Sequence, residues 1–179
     1  GSSLVGSEMC IRDSYTSGTT GNPKGVLYSH RSILLHTFGM LTFAADVGLT
    51  PSSTVLPVVP LFHANAWGLP FAVPLVGAKL VFPGAALDGA SLFSLMDRER
   101  VKAAWGVPTI WLGLLAEMRK QKRKPQDFSF MLSGGSAVPR SMIQELEKEF
   151  GVDVTHGWGM TECSPVGSTT TLGLSLIHI

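Results

Sequence analysis

Cysteine is scarce, with Cys10 and Cys163 the two thiols of a 179-residue chain. Two cysteines do not staple a secreted scaffold, and no C-x-x-C pair or Cys/His cluster suggests structural zinc. The compartment inferred from this is the reducing cytoplasm. Charge is scarce as well. Acidic and basic residues make up 15% of the chain and nearly cancel, leaving a net charge of +1. No overall field therefore steers the protein onto nucleic acid or an anionic membrane, and a bound nucleotide has to be held by local geometry. Long apolar runs are missing, because Pro, His, Asn or Gly interrupts each one within about 18 residues, short of a membrane span. The first fourteen residues lack the basic-then-apolar order of a signal peptide, and no internal repeat is visible. What is present is globular material: 45% hydrophobic residues with 20 Gly and 11 Pro, at a length that supports one sizeable core.

The two ends fit nothing between them. Residues 1–14 (GSSLVGSEMCIRDS) and 174–179 (LSLIHI) resemble translated sequencing-adapter text and are read as non-native. That reading sets Cys10 and His178 aside and puts the fragment proper at residues 15–173.

Within those bounds short β-rich runs alternate with longer segments of helical period, separated by Gly and Pro. Ser29 caps a predicted helix carrying Ile33, Leu34, Phe38, Leu41 and Ala45, with Gly48 as its turn-away point. A strand is predicted over residues 55–59, although Pro57 argues against a central position. Then come a helix over 66–75, a strand over 79–82, a helix over 88–99 and a strand over 101–105. Pro108 opens the next helix, with Ile110, Leu114 and Met118 on one stripe. A strand over 128–132 runs into Ser133-Gly134-Gly135-Ser136. Pro139 opens a helix that buries Met142, Ile143, Leu146 and Phe150 and is stopped by Gly151, and residues 152–155 form the last strand. The rhythm predicts an α/β fold, a mostly parallel sheet covered by helices, with ligands at the carboxyl ends of the strands.

Chemistry concentrates in three glycine-rich segments. Tyr15-Thr16-Ser17-Gly18-Thr19-Thr20-Gly21-Asn22-Pro23-Lys24-Gly25 sets hydroxyls, glycines and a lysine in eleven positions. Backbone N–H groups unobstructed by Cβ, together with hydroxyls, make a cradle for phosphate oxygens, to which Lys24 adds a point charge. Its spacing is not that of a Walker A loop, since no Gly-Lys-Ser/Thr occurs. The simpler alternative is a flexible Gly/Thr linker.

Thr16 to Lys24 resembles the phosphate loop of the adenylate-forming superfamily, which includes acyl-CoA synthetases, luciferases and peptide-synthetase adenylation domains. His156-Gly157-Trp158-Gly159-Met160-Thr161-Glu162 resembles its adenine and magnesium motif, and Ser133-Gly134-Gly135-Ser136-Ala137 its preceding nucleotide-site turn. The stretch Val58-Val59-Pro60-Leu61-Phe62-His63-Ala64-Asn65-Ala66-Trp67-Gly68 is similar to the medium- and long-chain fatty-acyl-CoA synthetase branch, and Gly106-Val107-Pro108-Thr109-Ile110-Trp111 agrees. The resemblance covers residues 15–173 as an internal stretch of the larger N-terminal domain. It leaves out the ribose-binding aspartate motif, the hinge and the small lid with its catalytic lysine.

The resemblance implies that a carboxylate attacks the α-phosphate of ATP and that CoA thiol then displaces AMP. It assigns Thr16, Ser17, Gly18, Thr19, Thr20, Gly21 and Lys24 to the phosphates. Gly135, Ser136, Ala137, His156, Gly157, Trp158, Gly159 and Met160 fall to the rest of the nucleotide, Thr161 to an α-phosphate oxygen, and Glu162 with Thr16 to Mg2+. Lys24, Thr161 and Glu162 form the catalytic set. His63, Asn65, Trp67 and Gly135 fall to the acyl group, with Trp67 as gate to a fatty-acid tunnel.

Each assignment has a plainer rival: a solvated glutamate at 162, and core tryptophans at 158 and 67 beside a satisfied His63. A metal site at His63, Asn65 and Trp67 is rejected for want of ligands. His30 and His36 are read as structural and Cys163 as an inert filler. The basic run Arg119-Lys120-Gln121-Lys122-Arg123-Lys124 is read as a solvated helix end. The expected partners are ATP, Mg2+, CoA as co-substrate and a fatty acid, with no nucleic acid and no transmembrane segment. A homodimer is one assembly open to the full-length protein. The alternatives are an acyl-AMP ligase serving a carrier protein and a nucleotide-binding module without catalysis. For the chain itself, binding without turnover is expected.

Overall fold

The computed structural model describes residues 12–16, 21, 22 and 24–170, so Ser17, Gly18, Thr19, Thr20 and both chain ends lie outside the described residues. Strands β1 (Arg12–Tyr15) and β2 (Gly25–Tyr28) form an antiparallel ribbon, with Tyr15 opposite Gly25 and Arg12 opposite Tyr28. Beyond the last pair of this ribbon, the Thr16 amide donates to the Lys24 carbonyl at 2.9 Å. An antiparallel arm needs residues opposite Val26, Leu27 and Tyr28. Ser14, Asp13 and Arg12, from the stretch set apart as a leader, take those places.

Helix α1 (His30–Leu41) starts where predicted, its first turn capped by the Ser29 hydroxyl, which accepts from the Ser32 amide at 3.0 Å. It leads to the main sheet, whose strand order is β4-β3-β5-β6-β7-β8. β3 (Thr54–Pro57), β4 (Lys79–Leu80), β5 (Ala103–Gly106), β6 (Phe130–Gly134) and β7 (Asp153–Gly159) run parallel, while β8 (Val166–Thr169) is antiparallel to β7. The α/β, mostly parallel architecture read from the sequence is the observed one.

Pro57 nevertheless sits in an internal strand, between β4 and β5. Alternation explains it. Val55 accepts from Val81 on the β4 side and the Val58 amide donates to Trp105 on the β5 side, so the nitrogen of Pro57 faces β4, which has ended at Leu80. The ladder to β4 stops there, and pairing with β5 is untouched.

Both faces are covered. Leu56, Ala104 and Met131 pack on α4 (Gly89–Glu99), α5 (Pro108–Gln121) and α6 (Arg140–Lys148). Their neighbours Val55, Ala103, Trp105 and Leu132 point the other way, onto Met40 of α1 and Leu69, Ala72 and Val73 of α3 (Leu69–Leu75). The period-2 alternation of buried strands thus feeds two cores. The basic run is tied into the first of them: Arg119 pairs with Glu145, Arg123 with Asp97 at 2.6 Å, and Lys124 donates to the Gly151 carbonyl at 2.7 Å. Among the described residues no helix is long and apolar enough to cross a membrane.

Candidate active site

The carboxyl ends of the parallel strands and the end of the ribbon meet around one cavity of about 470 Å³. From the ribbon come Thr16 and Lys24, from the loop after β6 Gly135, and from the end of β7 and the turn beyond it Gly157, Trp158, Gly159, Met160, Thr161 and Glu162; His63 and Trp67 complete the predicted residues on its wall. Lys24 and Glu162 therefore face the same space, as the ligand rule for open sheets requires.

Local structure places each of them. The Thr16 hydroxyl accepts from the Lys24 amide at 3.3 Å, which fixes both at the ribbon base. β7 runs further than residues 152–155. It continues through the glycine motif to Gly159 because β8, which had no sequence signal, pairs Trp158 with Ser168 and supplies a second partner strand. Glu162 is therefore not in a glycine turn after a strand. It sits in a single 3₁₀ turn (Thr161–Cys163) beyond a strand made of the motif itself, and Ser164 in the left-handed region ends that turn ahead of a cis peptide to Pro165. Gly159 is obligatory here, since a Cβ would stand 2.3 Å from the Pro165 carbonyl oxygen.

Trp158 is 56% exposed. Its ring lies so close over Gly167 that a Cβ there would stand 2.7 Å from Cζ3. One indole face rests on β8 backbone and leaves an aromatic surface open at the cavity rim.

Residues 66–75 are not one helix. The left-handed turn α2 (Ala64–Trp67) precedes α3, with φ of 46°, 54°, 46° and 56° at Ala64, Asn65, Ala66 and Trp67 before Gly68 at 80°. Left-handed backbone costs an L-residue about 1–2 kcal/mol, and four non-glycine positions carry it. The turn aims Ala64 and Trp67 at the cavity and buries Asn65, which does not line it. Asn65, expected to face the acyl group, is carried off the cavity wall by this left-handed turn.

Four other candidates lie off the wall. Gly21 is exposed. Ser136, Ala137 and His156 stand outside the cavity, the His156 ring 3.4 Å from the Ser136 carbonyl. Strand alternation puts His156 on the side of β7 away from Gly157. Ala64, Leu132, Gly134, Pro165 and Val166 line the cavity unannounced. Of these Gly134 had a signal, its place in the Ser-Gly-Gly-Ser turn. A Cβ on it would stand 2.7 Å from the Gly157 carbonyl oxygen and 3.4 Å from the Trp67 ring.

Two further residues matter behind the wall. The Tyr28 hydroxyl donates to the Thr161 carbonyl, and His36 Nε2 accepts from the Val166 amide at 3.0 Å. Burial pushes His36 down to about 4 from 6.5, so it is neutral, as an acceptor must be. The cavity thus combines a cation, a carboxylate and hydroxyls with the apolar surfaces of Trp67, Leu132 and Val166, which suits an anion carrying an apolar tail.

Comparison with known proteins gives the family. The chain is 56% identical over 158 residues to a medium-chain-fatty-acid–CoA ligase of Ectopseudomonas oleovorans, covering 88% of this chain and 29% of that one. It is 52% identical over 155 residues to a 3-methylmercaptopropionyl-CoA ligase of Ruegeria pomeroyi, with 87% and 29% covered. The chain therefore spans under a third of the length of these relatives. Among solved structures, o-succinylbenzoate coenzyme A synthetase of Bacillus subtilis in complex with ATP and magnesium ion superposes with a TM-score of 0.78 at 28% identity, over 92% of this chain and 33% of that one. Residues 13–177 match the family described as AMP-binding enzyme, and the chain belongs to that family.

Proposed function

We propose that the protein carrying this chain is an ATP-dependent fatty acid–CoA ligase. In the first step a carboxylate oxygen bonds to the α-phosphorus of ATP as the bond to pyrophosphate breaks, giving acyl-AMP. In the second, CoA sulfur attacks the acyl carbon, AMP leaves with the bonding electrons, and the thiol proton passes to solvent. The observation that carries the reading is that Lys24, Thr161, Glu162 and Trp67, from three separate motifs, line one cavity. The names of the two ligases reported above support the reaction class, and that of the first supports a medium-chain fatty acid.

The residues divide the work. Lys24 neutralises charge on the β- and γ-phosphates, the glycine-threonine segment offers them hydroxyl and N–H donors, Thr161 donates to an α-phosphate oxygen, and Trp158 with Gly135 offers adenine a flat seat. Preorganised donors of this kind act on charge as it develops, without reorganising water. Among the described residues no three His, Cys, Asp or Glu converge on a cation site. One carboxylate, Glu162, with the Thr16 hydroxyl fits Mg2+, which keeps most of its waters and takes its other oxygens from substrate phosphates. When bound, the ion supplies charge neutralisation at the polyphosphate. His63, Trp67 and Gly135 face the acyl group, beside Ala64 and Leu132. Cytoplasmic location and a homodimer belong to the same proposal, as does the reading of residues 15–173 as an interior piece of the larger domain.

Carboxylate-dependent ATP–pyrophosphate exchange by the intact protein tests the reading. Octanoate is expected to support exchange, and Lys24→Ala and Glu162→Gln to lower it by at least about a hundredfold each, the scale of losing one transition-state charge contact. Exchange that is absent, or indifferent to both substitutions, overturns it.

A further inference from the structure

We propose that Tyr28 is a positioning residue: it fixes the turn bearing Thr161 and Glu162 to the ribbon bearing Lys24, so that the groups gripping the two ends of a magnesium polyphosphate keep one spacing. The proposal rests on reading the cavity as the MgATP site.

Tyr28 is the last residue of β2, is 2% exposed and is not part of the cavity wall. Lys24 immediately precedes the same strand, four residues away, or about 13 Å of extended backbone. All four positions of β2 are paired with β1, so Lys24 and Tyr28 stand at opposite ends of one hydrogen-bonded strand. One end presents Lys24 to the cavity. At the other end the phenol donates to the Thr161 carbonyl.

The turn that receives this bond is closed at its base, by the Cys163 amide on the Met160 carbonyl at 2.9 Å and the Met160 amide on the Pro165 carbonyl at 3.0 Å, and is looser at its tip. It is one turn of 3₁₀ helix with no side-chain cap, and the bond from the Ser164 amide to the same Thr161 carbonyl is long at 3.4 Å. An isolated 3₁₀ turn has poor hydrogen-bond geometry and depends on outside contacts. Glu162 follows the anchored residue directly and is exposed, so no packing of its own fixes its direction. The phenol therefore sets where the Glu162 carboxylate and the Thr161 hydroxyl stand relative to Lys24.

The residues proposed to face the acyl group stand on or beside other elements, the left-handed turn and the end of β6. Loss of the Tyr28 hydroxyl should thus be felt by MgATP and not by the fatty acid. Tyr28→Phe in the intact protein keeps the ring and its packing and removes the donor. The expected result is a KM for MgATP raised about three- to tenfold, the equivalent of one ordinary hydrogen bond. The KM for octanoate should stay within about twofold, and the Mg2+ concentration for half-maximal exchange should rise in parallel. Three results overturn the proposal: no kinetic change, equal changes in both KM values, or a lowered melting temperature with an unaltered KM for MgATP. A wild-type protein without carboxylate-dependent exchange defeats the MgATP reading itself and this inference with it, and is told apart from the other results because it is seen before any substitution is made.

Discussion

Trp67 is where the functional and packing readings of one residue separate most sharply. It is 8% exposed, belongs to the core under β3 and β6, and still reaches the cavity through a left-handed turn. A tryptophan serving as core alone has no need of such backbone, because a right-handed helix would bury it without the cost. Strain at this position argues for a ring held where the apolar end of a substrate passes. In the intact protein Trp67→Ala is therefore expected to change kcat/KM for medium and long fatty acids while leaving acetate nearly unaltered. A packing defect would instead depress every substrate together with a stability loss of about 3–5 kcal/mol, and unchanged ratios among chain lengths would remove the gate. At this scale the sequence was informative wherever a motif carried the chemistry, as with Lys24, Thr161, Glu162 and Trp158. It was silent for Asn65, whose direction depends on a handedness that four non-glycine residues do not announce. It was silent also for Tyr28, whose partner is 133 residues away in the chain.

Among the elements, helices were the most legible, because caps and prolines act locally. The Asp88 carboxylate accepts from the Ser91 amide at 2.9 Å to start α4 within the expected span, and Pro108 occupies the first turn of α5, where it was expected to open the helix. Strand ends were less so. β7 outran its expected end, since the ladder that extends it is supplied by β8, a strand of Val, Gly, Ser and Thr without an apolar pattern. Nor did the sequence disclose how closely α4 and α5 approach. A Cβ on Gly89 would stand 2.1 Å from the Gly113 carbonyl oxygen, so the helices touch backbone to backbone. Gly89→Ala must push them apart, with an expected loss of about 1–3 kcal/mol by overpacking. Gly39 in α1, with nothing within 4 Å of a built Cβ, supplies the contrast. Gly39→Ala should be neutral or stabilising by up to about 1 kcal/mol. Thermal melting reads both, and equal melting temperatures would mean that the α4–α5 contact is not the tight point of the fold.

For the whole molecule, acid stability turns on His36, which joins α1 to β8 across the back of the site. Its ring nitrogen accepts from the Val166 amide, and the same ring fills the space beside Gly68, where a Cβ would meet Cε1 at 2.8 Å. Protonation would turn the acceptor into a donor facing an N–H. Burial holds the folded-state pKa near 4, against 6.5 for an exposed imidazole. The unfolded chain thus binds this proton more readily, and the stability His36 contributes is complete above pH 6.5 and is lost as pH falls from there to about 4. The slope in that window stays below about 1.4 kcal/mol per pH unit, the limit for one proton. Asp97 and Glu145, held below the ordinary carboxylate range by hydrogen bonds from Arg123 and Arg119, add their losses at lower pH. Glu147, pushed up by burial, takes up its proton earlier in the folded state and opposes them. Denaturant unfolding between pH 7 and 4 is expected to show the His36 slope in the wild type and to lose it in His36→Gln, whose amide oxygen can still accept from Val166 but does not titrate. The carboxylate-driven loss below pH 4 should persist in both, and identical slopes above pH 4 would assign the acid sensitivity to some group other than the imidazole behind the cavity.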